Sequence, residues 1–99
     1  MLYVITGTDA PNSLAIRRRV RPAHLDRAHR LVEQGRMVIA GPCPAIDATD
    51  AGPAGFTGSV IIAEFASLDE ARAWIAADPY VTEGVFESWE VRHFIKVLP

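Results

Sequence analysis

The chain has 99 residues, enough for one domain with a modest core of its own. Hydrophobic residues make up 49% of it, charged residues 22%, and the net charge is −2, which fits a globular domain and excludes a broadly basic binder of nucleic acid or anionic membrane. The single cysteine, Cys43, excludes an internal disulfide, and no apolar run approaches the roughly 20 residues that span a bilayer.

Leu2 to Thr8 is short, apolar and β-branched and reads as a buried strand. Asp9-Ala10-Pro11-Asn12-Ser13 has turn chemistry. Ser13 to Arg21 reads either as a loop or as a separate helical piece, because the residue before a proline is pushed away from the α region and Arg21 precedes Pro22. Pro22 to Gln34 reads as a helix that opens on a proline, with Leu25, Ala28, Leu31 and Val32 as its apolar stripe and Gly35 ending it. Arg36 to Ala40 reads as a second strand stopped by Gly41-Pro42, and residues 42–57 as a long loop, a feature usually functional or mobile in a small domain. Gly58 to Phe65 is the third predicted strand. Ser67 with Glu70 forms a capping box for a helix running to about Ala77, with Leu68, Ala71, Trp74 and Ile75 inward. Asp78 before Pro79-Tyr80 suits the cap of one further turn. Val85 to Leu98 alternates Trp89, Val91, His93, Ile95 and Val97 against Ser88, Glu90, Arg92, Phe94 and Lys96, a long final strand with one buried face.

This order predicts a single domain, residues 1–99, with a ferredoxin-like βαββαβ α+β sandwich: an antiparallel sheet with its helices on one face. Tyr3, Ile5, Ile61 and Phe94 are candidates for the uncovered face, and an exposed apolar face predicts a homodimer through the sheets. In this topology Thr6 to His24, the 42–57 loop and Asp78 gather at one pole. The His24 ring and the Asp78 carboxylate, distant in sequence, are therefore expected to meet. A carboxylate beside an imidazole fixes its tautomer and raises its basicity, as acid–base catalysis requires. Arg17 and Arg21 are expected to hold a carboxylate or phosphate, with Arg18 and Arg19 solvated. His29 follows His24 by five positions, about 140° round a helix, so the pair does not make a metal site, and no metal is expected. His93 is expected to be packed or hydrogen-bonded. Nothing visible pairs Cys43 with a histidine.

The residues that carry this pattern also resemble a known family. Pro11-Asn12-Ser13-Leu14, then Arg17-x3-Arg21-x2-His24-Leu25, Gly35, Ala40-Gly41-Pro42, Asp78-Pro79-Tyr80 and Gly84-Val85 are similar, in order and over nearly the whole chain, to the YciI-like proteins. The resemblance implies a dimeric α+β barrel, ferredoxin-like in each subunit, with a pocket holding a histidine and an aspartate that map to His24 and Asp78. Some members act on breakdown products of chlorinated aromatics, and the wider fold includes muconolactone isomerases. Two features depart from the family pattern: the run Arg17-Arg18-Arg19 is more basic, and the 42–57 loop is rich in Gly, Ala and Pro.

The expectation is a cytoplasmic, cofactor-independent enzyme of lyase (dehydrochlorinase) or isomerase type. His24 and Asp78 form its dyad, and Arg17, Arg21, Tyr80, Gly41 and Pro42 bind a small anionic substrate. The chief alternative is a non-catalytic dimeric module that senses or carries a small acid in the same pocket. An interaction protein using only its sheet face is a third reading, which places no ligand at the pole.

Overall fold

A computed structural model describes residues 1–99. Strand β1 is Leu2–Asp9, helix α1 Leu14–Glu33, strand β2 Met37–Pro44, strand β3 Phe56–Glu64, helix α2 Leu68–Ala76, helix α3 Pro79–Thr82 and strand β4 Phe86–Phe94. The strands form one antiparallel sheet in the order β2-β3-β1-β4. This is the ferredoxin-like α+β arrangement, with β2 and β4 at its edges.

Helix α1 differs from the expectation in being continuous through Pro22. A mid-helix proline removes the hydrogen bond to the carbonyl four residues earlier, here that of Arg18. Both Arg18 and Pro22 are exposed, so water can solvate the freed carbonyl. The opposite face holds the helix together. At 100° per residue Arg17, His24, Ala28 and Leu31 fall within about 60° of one another, and all of them are buried. Val32, expected on the inner stripe, is 55% exposed.

The second strand runs four residues past its predicted end, so Gly41-Pro42 does not stop it. Strand β2 has a free outer edge, where proline costs no ladder hydrogen bond, and Pro42 lies opposite Ser59 and Pro44 opposite Phe56. The predicted 42–57 loop shrinks accordingly to residues 45–55, which include a short 3-10 turn at Gly52–Ala54. The last strand is shorter than predicted. Leu2 at the start of β1 pairs with Phe94, so residues beyond Phe94 have no neighbouring strand to join. Ile95, Val97 and Leu98 are consequently 73–84% exposed.

The core lies between the sheet and the helices and contains Tyr3, Ile5, Leu31, Ile61, Ala63, Phe65, Ala71, Ile75, Val85 and Val91. Tyr3, Ile5 and Ile61 thus lie beneath the helices, not on the uncovered face where they were expected; odd-numbered residues from Tyr3 to Gly7 of β1 and from Ser59 to Ala63 of β3 point inward. The open face instead presents Leu2, Val4, Val60, Ile62 and Phe94, all half-buried, together with exposed Ile39. Leu68 is exposed at the first turn of α2, and His93 is exposed with its ring tilted against Tyr3. Ser67 caps α2 as expected, accepting from the Glu70 N–H, while the Glu70 carboxylate accepts from the Ala66 N–H.

Candidate active site

Three elements build the site: the inner face of α1, the helical turn α3, and the inner side of β2 and β3. The continuity of α1 is decisive, because it places Arg17 and His24 two turns apart on one stripe. Asp78 ends the α2 segment in extended backbone and caps α3, its carboxylate accepting from the Tyr80 N–H at 2.9 Å. Pro79 suits the first helical position, and it directs Tyr80 back under α1.

His24 Nδ1 lies 2.9 Å from Asp78 Oδ1, and Arg27 Nη1 donates to Asp78 Oδ2 at 2.9 Å. Asp78 is wholly buried and His24 is 7% exposed. Burial pushes the Asp78 carboxyl upward, but the bond to His24 and its charge, the Tyr80 N–H and Arg27 together outweigh burial and hold it below the usual carboxylate range. An ionised Asp78 accepts only, so Nδ1 of His24 carries a proton and Nε2 presents its lone pair or a second proton to the outside. The Tyr80 ring stacks on the imidazole with centroids 4.0 Å apart and planes 10° apart. Arg27 is further fixed by donating to the Trp74 carbonyl at 2.8 Å and lying over the Trp74 ring.

Arg17 also lies against Tyr80, its guanidinium 4.7 Å from the ring centroid. It forms a two-pronged pair with Asp9, Nε donating to Oδ2 at 2.9 Å and Nη2 to Oδ1 at 3.1 Å. Nη2 also donates to the Gly58 carbonyl at 3.2 Å and to Ser59 Oγ at 2.7 Å. Burial raises the Tyr80 phenol above its ordinary range, though Arg17 and Arg21 pull it back in part, so the hydroxyl stays protonated near neutral pH.

These residues enclose a cavity of about 130 Å3 lined on its polar side by Arg17, Arg21, His24, Ser59 and Tyr80 and on its apolar side by Leu25, Ala28, Ala40, Pro42 and Ile61, with Gly41 at the β2 wall. Every expected substrate-binding residue therefore borders one cavity, with Asp78 behind His24. His24 Nε2 has no protein partner and is not sealed in, since no fully buried side-chain polar atom lacks one. A larger cleft of about 660 Å3 opens beside the start of α1, but its only titratable groups are Asp9, already paired with Arg17, and Glu87. The 130 Å3 cavity is the one that His24 borders.

Arg18 and Arg19 are exposed. No cluster of three His, Cys, Asp or Glu side chains is placed to hold a metal. Cys43 is exposed and does not border the cavity. Three partners were not foreseen in the sequence. Arg27 follows His24 by three positions and so shares its helix face, a legible signal; Asp9 and Ser59 reach Arg17 only through strand register.

The YCII-related domain model matches residues 1–95. The chain belongs to the YCII-related family. It is 56% identical over 97 residues to Protein YciI of Escherichia coli O6:H1, covering 98% of this chain and 99% of that one. Identity to an uncharacterized protein of Haemophilus influenzae is 47% over the same length and coverage. Among solved structures, this YCII-related chain is similar to the 5-chloro-2-hydroxyhydroquinone dehydrochlorinase TftG of Burkholderia phenoliruptrix, determined in complex with 2,5-dihydroxybenzoquinone: TM-score 0.83, 31% identity, covering 96% of this chain and 94% of TftG. No helix of this YCII-related domain is long and apolar enough to cross a membrane.

Proposed function

We propose that the cavity is a cofactor-independent acid–base site in which His24, oriented by Asp78, moves a proton on a small anionic substrate, in elimination (dehydrochlorinase-like) or isomerisation chemistry. The 2.9 Å contact between His24 Nδ1 and the buried, ionised Asp78 carries this reading. It leaves Nε2 aimed at the cavity in a defined tautomer, which is what a general base or acid needs. Arg21, exposed at the mouth, attracts the anion; Tyr80 offers its hydroxyl; Gly41 and Pro42 shape the wall. Arg17 contributes positive field from behind, because its own charge is already paired with Asp9.

Cavity size limits the substrate. An apolar cavity of about 150 Å3 in another protein admits benzene, so about 130 Å3 suits one six-membered ring or a molecule of that bulk. The ligand of the TftG structure is a single ring with acidic hydroxyls, and TftG is a dehydrochlorinase. Chloride release from 5-chloro-2-hydroxyhydroquinone, the compound in TftG's name, is therefore the first assay. The native protein should turn it over, with kcat/KM falling about a hundredfold or more in His24→Gln. Equal rates in the two proteins would remove His24 from catalysis, and binding without turnover would favour the carrier reading.

We also infer that a second copy covers the open sheet face. The apolar band of Leu2, Val4, Ile39, Val60 and Ile62 supports this, as does the exposed Ile95-Val97-Leu98 run, which keeps strand alternation without a strand to pair with.

A further inference from the structure

Ser59 is the side chain at the centre of the sheet that the dyad leaves without a role. It faces the helices from β3, between Gly7 of β1 and Pro42 of β2. It is 7% exposed and borders the cavity. Its Oγ accepts from Arg17 Nη2 at 2.7 Å. A guanidinium has donors only, so this bond uses a lone pair of the hydroxyl and leaves its proton free. No protein acceptor takes that proton. Arg17 cannot swing away to release the hydroxyl, because Asp9 and the Gly58 carbonyl hold the same guanidinium. With its lone pair tied to a cation, Ser59 Oγ is fixed in place and polarised as a donor. The same arginine lies beside the Tyr80 ring.

We propose that Ser59 is the specificity-determining donor of the site, holding an oxyanion of the substrate in the cavity bordered by His24, with Arg17 as its positioning residue. The substrate class follows: a compound of one-ring size whose exchanging proton is conjugated to an enolate or phenolate oxygen. In the transfer, the substrate C–H or O–H bond breaks and an N–H bond forms at His24 Nε2. The electron pair spreads onto the oxygen that Ser59 faces, and Ser59 keeps its own proton. A hydrogen bond that strengthens as this charge develops favours the transition state. The inference rests on the acid–base reading of His24 and adds the group that would select the ligand.

Titrating native protein, Ser59→Ala, Ser59→Cys and His24→Gln with 2,5-dihydroxybenzoquinone by calorimetry tests it. Loss of one hydrogen bond to a charged group should weaken binding about tenfold or more in Ser59→Ala, with Ser59→Cys, a weaker donor of similar shape, in between. The NMR pH titration of the His24 ring in the free Ser59→Ala protein should match native, which a merely structural disturbance of the pocket would not leave intact. Equal affinity in native and Ser59→Ala, or no saturable binding to the native protein, would overturn the proposal. A normal dechlorination rate in His24→Gln alongside weakened binding in Ser59→Ala would instead remove the dyad reading and leave Ser59 as a ligand donor.

Discussion

The two buried carboxylates are handled in different ways, and each sets an expectation. Asp9 is neutralised by one partner, Arg17, with both side chains about 95% buried. Removing the cation strands a buried charge. Arg17→Met is therefore expected to cost about 3–5 kcal/mol, visible as a lowered urea midpoint, even though methionine fills similar space; an unchanged midpoint would mean that Asp9 is solvated. Asp78 is shared by His24, Arg27 and the Tyr80 N–H, and its carboxyl is held below the usual range. Unfolding restores the ordinary value, so in acid the unfolded chain binds the proton first and stability rises with pH. The contribution is present above the unfolded pKa and is lost as pH falls through the folded one. Urea midpoints measured from neutral pH down into that acid window should drop for native protein and drop less steeply for Asp78→Asn. Identical slopes would show that Asp78 does not titrate between the two states.

At the scale of elements, helix α1 carries the site, and its Pro22 is an internal weakness tolerated on the solvent side. Pro22→Ala should restore the hydrogen bond to the Arg18 carbonyl and raise stability by up to about 3 kcal/mol; a loss of stability would mean that the proline is needed for the seating of His24. Strands β1 and β3 approach closely at Gly58, where an added Cβ would fall on the Gly7 carbonyl oxygen. Gly58→Ala should accordingly open the β1–β3 ladder, unseat Arg17 from the Gly58 carbonyl and lower the melting temperature more than Gly41→Ala, whose Cβ would meet nothing. Hydrophobic period and capping chemistry were enough to place every strand and helix in order. They failed where a tertiary choice overrode a local rule. Arg21-Pro22 reads as a break because a proline's neighbour avoids the α region, yet the buried stripe from Arg17 to Leu31 outweighs that preference. Gly41-Pro42 reads as a stop because an edge strand cannot be told from a central one before pairing is known. Tyr3, Ile5 and Ile61 were assigned to the wrong face because alternation gives two faces without saying which one the helices cover. That Arg17, Arg21, His24, Tyr80, Gly41 and Pro42 would come together, with Asp78 against His24, was legible from the topology and the family pattern together. Ser59 and Asp9 were not, since only strand register brings them to Arg17.

For the whole molecule, a helix-covered face and an apolar open face lead to the expectation of a homodimer. Light scattering with size exclusion at micromolar concentration should give twice the 10.8 kDa chain mass, and deleting residues 95–99 should shift the equilibrium toward monomer. A native monomer would leave Ile39 and the open face without a cover. The fold packs the middle of α1 against the segment that follows α2, where Asp78 caps α3, and the central claim concerns what that junction does to one imidazole. Long-range proton–nitrogen NMR of the His24 ring, in the neutral form of the free protein, reads this directly. The expected result is the Nδ1–H tautomer, its proton donated to Asp78 and Nε2 bare toward the cavity, with the preference lost in Asp78→Asn. An Nε2–H tautomer in the native protein would contradict the acid–base role of the dyad.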